Sequence, residues 1–315
     1  MATKPKTKKT SAEPAKRRLE SPKYHSFKMA KKIKHPKGGL PKARTLFAAS
    51  LRHLWAHRKP FVGITLIYLT LTILLVKGLN TSGEVPAIKQ GFQDVLHGTT
   101  GQIATGVAVF GFLVGSASGV SSEVAGTYQS MLLINVSLAL IWSLRQTHAG
   151  TKVGVREAFY RGMYPLVPFL AVLLVIGLQF IPLAVGSWLF GVTITSGLAV
   201  TGPEQFLWIS LCFLLVLLTV YMVSSSVFAL YVATLPDMTP MKALRSTREL
   251  VRYRRWTVLR KVLFLPLVVL VLGALVVIPV ILLIAPLAEW VFFVLTMTVL
   301  AVTHSYLYSL YRELL

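Results

Sequence analysis

The stretch TPMKALRSTRELVRYRRWTVLRK (239–261) runs directly into VLFLPLVVLVLGALVVIPVILLI (262–284). The first part carries Lys242, Arg245, Arg248, Arg252, Arg254, Arg255, Arg260 and Lys261 against one acid, Glu249, and the second carries no charge. An uncharged apolar run of this length exceeds the roughly 20 residues a helix needs to cross hydrocarbon. In the basic part, Thr239 suits a helix N-cap and Pro240 the first helical position. Arg245, Arg248, Arg252 and Arg255 step by three, four and three, which predicts one shared helical face. Leu244, Leu250 and Val251 fall at other angles. Such a helix can lie in the headgroup plane with its apolar side down and its arginines toward phosphates. Charge that simply holds this segment inside carries more weight than specific anionic-lipid contact, which is the sharper reading of the same four arginines.

The same grammar runs through the chain. Of its 315 residues 54% are hydrophobic and 14% charged, with a net charge of +22. Soluble domains carry about 25% charged residues, so an ordinary soluble enzyme is excluded. Further apolar runs are Phe61–Val76, Met131–Trp142 (extended back to Tyr128), Leu166–Leu189, Phe206–Leu235 and Leu287–Leu310. The expected fold is an all-α polytopic bundle: six transmembrane helices arranged as three hairpins, each preceded by a basic amphipathic helix. Residues 1–59 hold 18 basic and two acidic side chains, or +16 of the +22. Residues 1–42 read as a disordered basic tail, and 43–312 as the membrane domain. That domain divides into a first unit (43–145, with an outer segment at 80–125), a second (155–235) and a third (239–312).

Charge also sets the sides. Short loops rich in Lys and Arg stay cytoplasmic. The tail, Arg145–Arg161 and Asp237–Lys261 are the basic segments, and all three fall inside only if one span lies between Thr100 and Arg145. Gly101–Val120, moderately apolar and rich in small residues, is therefore expected to be membrane-associated or re-entrant on the outer face. Trp55, Trp142 and Trp256 then fall at inner ends, and Trp188, Trp208 and Trp290 at outer ends, where indoles favour the interface. The expected location is the plasma (inner) membrane, with both termini cytoplasmic.

The basic segments resemble one another. Ser50-Leu51-Arg52-His53-Leu54 matches Ser246-Thr247-Arg248-Glu249-Leu250, and Arg58-Lys59 matches Arg254-Arg255 at the same offset. Val155–Arg161 is a shorter version. Pro168 with Pro182 parallels Pro266 with Pro279, one residue out of step. Residues 237–256 carry a further likeness through Asp237-Met238-Thr239-Pro240, Lys242, Arg245, Arg248 and Arg254-Arg255-Trp256. On these residues the chain resembles a group of six-span bacterial membrane proteins that includes the membrane domain attached to some glycerophosphodiester phosphodiesterases. The resemblance implies the three-hairpin architecture. It implies no phosphodiesterase activity, because the likeness is to the membrane domain alone.

A search for catalytic chemistry finds no phosphate-cradling loop, helical zinc motif or nucleophile elbow. Cys212 is the single cysteine. No cofactor, metal site or catalytic residue is expected. The intramembrane polar residues Asn135, Gln179, Ser224, Ser225, Ser226 and His304 form a candidate bundle cluster, expected to hydrogen-bond between helices. A local break at Ser224–Ser226 is also expected. Tyr306, Tyr308 and Tyr311 read as an aromatic anchor at the inner interface. The function expected is a non-enzymatic membrane protein with a structural, lipid or protein-partner role at the cytoplasmic face. Anionic lipids are the favoured partner and nucleic acid a disfavoured one. The alternative is a small-molecule or lipid transporter with a polar mid-membrane cavity.

Overall fold

A computed structural model describes residues 40–76, 99–116, 123–195, 201–236 and 238–315. The predicted basic tail therefore lies almost entirely outside the described residues, as does most of the outer segment 80–125. Among the described residues there are helices and no strand. In chain order they are α1 (Ala43–Ala56), α2 (Arg58–Leu75), α3 (Thr99–Ser116), α4 (Glu123–His148), α5 (Val155–Gly162), α6 (Leu166–Gln179), α7 (Ile181–Phe190), α8 (Gly202–Ala233), α9 (Pro240–Val251), α10 (Arg255–Leu283) and α11 (Ala285–Leu314). Six stretches of the described chain are long and apolar enough to cross a membrane: Arg58–Leu75, Val124–His148, Leu166–Thr193, Gly202–Ala233, Arg255–Leu283 and Ala285–Leu314. The protein is an all-α, multi-pass membrane bundle.

Several helices extend beyond their apolar runs. α10 starts at Arg255 and takes in Arg260 and Lys261; α4 starts at Glu123, well before Met131. Charge and polarity do not interrupt the backbone ladder, so hydropathy marks the core of a span and not its ends. The third span is broken at Phe180, between α6 and α7. Pro182 supplies the reason: it has no N–H and its ring clashes with the carbonyl four residues back. A π-turn at Gly191–Thr195 ends this span. The fourth opens with a capping box between Thr201 and Glu204, which satisfies two donors that a helix start leaves free.

Lipid, not water, suits the outer faces. Leu275 is 72% exposed, Leu283 82% and Phe206 73%. Apolar surface of this extent is covered by acyl chains in a bilayer. The protein core instead surrounds α4, where Leu138, Ala139, Leu140, Ile141 and Leu144 are all buried. The second half of α4 is largely enclosed, leaving little of it to face lipid, and Ser137, Ser143 and Thr147 are buried with it.

The short helices α1, α5 and α9 gather at one end, here called the basic end. Contacts fix this: Ser305 Oγ of α11 donates to Ser50 O of α1 at 3.2 Å, and Arg145 of α4 reaches Thr234 at the end of α8. Each short helix lies against the basic end of a returning span: α5 on α4, α9 on α8, and α1 on α11. The first short helix thus closes the ring begun by the last span. Small residues allow the close approach. Ala158 and Gly162 of α5, and Ala243 and Thr247 of α9, are buried. On α1 the buried pair is Leu46 and Ser50, while Leu51, the counterpart of Thr247 in the aligned segments, is exposed. The two copies therefore bury different faces of a similar sequence.

At the opposite end, α3 packs along the α10–α11 hairpin. Val109, Phe110 and Leu113 meet Val277, Ile281 and Ala288. Between Gly106 and Phe110 the α10 neighbours step back from Leu282 to Gly273, so α3 and α10 run antiparallel.

The tightest junction makes a prediction. A Cβ on Gly162 would stand 3.1 Å from Ala139 Cα and 3.2 Å from Leu138 O, both backbone atoms. Gly162→Leu should therefore push α5 off α4 and cost about 1–3 kcal/mol. Gly111→Ala, with nothing within 4 Å of the added carbon, should be neutral or stabilise by up to about 1 kcal/mol. Thermal unfolding in detergent micelles reads both; equal melting temperatures for the two variants would contradict the packing described.

Candidate functional site

The polar atoms of the basic end form a connected layer. Arg145 sits near the end of α4 and donates from Nη1 to Thr234 O at 2.8 Å, and from Nη2 to Tyr231 O at 3.3 Å and Thr234 Oγ1 at 2.5 Å. Two of these acceptors are carbonyls at the end of α8, where the helical ladder stops, and the guanidinium fork joins Thr234 Oγ1 in bonding to Tyr231 O. Tyr231 is fully buried beneath them. Its hydroxyl lies 3.1 Å from His304 Nδ1, and His304 Nε2 lies 3.0 Å from Ser137 Oγ. With the proton on Nε2, Tyr231 donates to the ring and the ring donates to Ser137. Polar side chains of three spans, α4, α8 and α11, thereby pair with one another, which hydrogen bonding permits and isolation would not.

The C-terminal tyrosines belong to this layer. They do not form the expected interfacial anchor. Tyr306, Tyr308 and Tyr311 are buried. Tyr306 donates to Lys261 O at 2.9 Å, and Tyr311 stacks on Tyr231 at 6.1 Å. Helices α1, α4 and α8 pack around the end of α11 and remove those faces from the interface. Nearby, His53 of α1 stacks on His148 at 3.8 Å and lies 4.6 Å from His57. His53 Nε2 is 3.0 Å from Thr147 Oγ1. Among the described residues no group of acids, histidines and cysteine has metal-site geometry.

A groove of about 1040 Å³ opens beside Arg145. Leu138 and Trp142 of α4, Tyr160 and Arg161 of α5, Tyr164 before α6, Pro168 in the first turn of α6, and Leu235, Met238 and Thr239 before α9 line it. A second groove of about 410 Å³ lies at mid-bundle between α7, α8, α10 and α11. Its walls are apolar apart from Thr219, Ser224 and Thr303.

The residues singled out from the sequence are dispersed by the fold. Arg245 and Arg248 lie on α9, exposed. That helix ends at Val251, and Arg252 follows in a turn, also exposed. Arg255 begins α10; it donates to the Tyr221 hydroxyl and sits over that ring. The three-four-three pattern is therefore split by a bend, because the chain must turn from lying along the surface to crossing it. Thr239 occupies the N-cap position as expected, but its side chain makes no cap bond.

Of the candidate bundle cluster, only His304 enters the polar layer. Ser224, Ser225 and Ser226 donate to carbonyls of Tyr221 and Met222 on their own helix. α8 continues through them unbroken, because such back-bonding satisfies the hydroxyl without disturbing the ladder. Gln179 Oε1 is buried without a hydrogen-bond partner at the α6–α7 break. Asn135 lies on α4, half-buried, two residues before Ser137. Sequence reasoning missed Arg145, Tyr231, Ser137 and the His53–His148 stack. His53 and His57 at i, i+4 on one helix were a visible signal; nothing in the sequence joins Tyr231 to His304.

Comparison with known protein families, curated proteins and solved structures finds no match.

The histidine stack predicts a pH dependence. Burial, then the charges of His148, His57 and Arg312, push the His53 pKa from 6.5 down to about 4. Between those values the unfolded chain binds a proton that the folded one refuses, so stability falls as the pH falls through that window. Above pH 7 this group should contribute no slope. His53→Gln, which keeps a polar partner for Thr147, should flatten the melting-temperature profile between pH 6.5 and 4. An identical slope in the variant would show that other groups cause it.

Proposed function

We propose that the protein is a non-enzymatic membrane component whose basic end lies at the cytoplasmic surface of the plasma membrane and engages anionic lipid headgroups. The observation that carries this reading is the gathering of α1, α5 and α9 at one end, with Arg44, Arg52, Arg58, Lys59, Arg156, Arg245, Arg248 and Arg252 exposed. Basic residues close to an anionic surface contribute about 1 kcal/mol each. Trp55 and Trp256 are 75% and 78% exposed at this same end, where indole rings suit the headgroup region. The transporter reading has less support, because the mid-bundle groove is apolar and the serines proposed to line a polar cavity bond to their own helix.

Two measurements test it. In a Cys212→Ser background, a cysteine at exposed Tyr160 should react with an impermeant maleimide only after cells are permeabilised, and one at Trp188 should react in intact cells. The reverse pattern would invert the orientation. Second, nanodiscs containing phosphatidylglycerol should stabilise the protein relative to phosphatidylcholine. Replacing Arg245, Arg248 and Arg252 with Gln should remove roughly half of that gain. Arg255 is left in place because it holds Tyr221. An unchanged gain would remove α9 from lipid contact.

A further inference from the structure

The groove beside Arg145 has features that surface charge alone does not require. Arg145 is half-buried, and its hydrogen bonds go to the neutral oxygens of Thr234 and Tyr231 and to the phenol of Tyr308. No carboxylate among the described residues lies within ion-pair distance of it. Arg161, at the groove rim, is by contrast paired with Glu157 at 3.1 Å. Arg145 is thus an uncompensated cation beside a cavity, in a setting where water screens it poorly. Its guanidinium carries five donors, so holding Thr234, Tyr231 and Tyr308 still leaves one N–H, and the full charge, to meet a phosphate.

The shape of the cavity narrows the choice of anion. From Arg145 the lining descends along α4 to Leu138, seven residues or about 10 Å deeper into the span, and across to Pro168 of α6. Its lower walls are apolar. Its mouth carries Tyr160 and Tyr164, which are 85% and 89% exposed. A soluble phosphate would use the charged top and leave the apolar depth empty. A diacyl lipid uses both, with the phosphate on Arg145 and a chain along Leu138 and Pro168.

We propose that this groove is a specific site for one anionic glycerophospholipid, with Arg145 as the phosphate anchor. The proposal rests on the reading above that the basic end lies at headgroup level in an anionic membrane. It goes further by assigning a single stoichiometric site separate from the exposed arginines of α9. Bound there, the lipid would bridge α4, the α5–α6 corner and the link from α8 to α9.

The test uses the full-length protein in detergent, titrated with dioleoyl-phosphatidylglycerol or dioleoyl-phosphatidylcholine and read by native mass spectrometry. One tightly held phosphatidylglycerol per chain is expected, preferred over phosphatidylcholine by about tenfold, as an uncompensated cation at the phosphate would confer. Arg145→Gln, which retains donors for Thr234 but loses the charge, should weaken the tight site about tenfold or more. Because that variant also touches the end of α8, Tyr164→Glu provides an independent arm: the side chain is exposed, the fold is spared, and a carboxylate at the mouth should repel the headgroup to a similar degree. The triple α9 variant should keep the single tight lipid. Equal binding of both lipids, or tight binding indifferent to Tyr164→Glu in the folded variant, overturns the proposal. Displacement of the lipid by millimolar inorganic phosphate also overturns it, in favour of a soluble anion. Loss of the tight lipid only in the triple α9 variant would sink the groove while sparing the broader reading. Loss only in the groove variants, with an unchanged nanodisc gain in the triple variant, would do the opposite.

Discussion

The half of α4 nearer the basic end is largely enclosed by protein, and most of its polar atoms find partners there. This constraint organises the basic end. Ser137 meets His304, His304 meets Tyr231, and Arg145 collects the last carbonyls of α8. In a soluble protein a stray hydroxyl or guanidinium at a helix end would turn to water. Here Ser137, His304, Tyr231 and Arg145 are held by one another, while Ser143 Oγ is buried without a partner. The result ties α4, α8 and α11 together at a defined depth.

The short basic helices complete that end. They bring small residues to the junctions, so backbones approach closely, and they leave their arginines outside. Packing between apolar helices in lipid has no hydrophobic drive of its own, because acyl chains are as apolar as leucine. Close fit and buried hydrogen bonds must supply it. Close fit is tightest where α5 meets α4, and buried hydrogen bonds join α4, α8 and α11 and link α11 to α1. The half of α8 far from the basic end, with Phe206, Leu214 and Leu217 exposed, depends instead on its lipid neighbours.

Much of the architecture was legible in the residues. Uncharged runs such as 262–284 can only be satisfied as helices in hydrocarbon, and the basic clusters between them mark the short helices. Thr239-Pro240 marked a helix start to the residue. Spacing failed at Arg252 and Arg255, because helical periodicity assumes a straight helix and the chain bends at Val251. It failed again for Tyr306, Tyr308 and Tyr311, whose composition suits an interface equally well as a core. Ser224–Ser226 suggested a break, but a serine in a span can satisfy itself on the preceding turn. The expected polar cluster dissolved for the same reason: a list of polar residues does not say which of them share a face.

Composition and local pattern, then, determined the helical class, the six crossings and the basic segments between them, since each follows from the transfer of a single segment into lipid. Tertiary structure alone decided that α1 packs on the last span, that Tyr231 and His304 meet across 73 residues of sequence, and that Arg145 stands beside a groove. Those are relations between helices. In a medium where every apolar face is equally content, they are set by the fit of small residues and by the pairing of buried polar atoms, which no single segment contains.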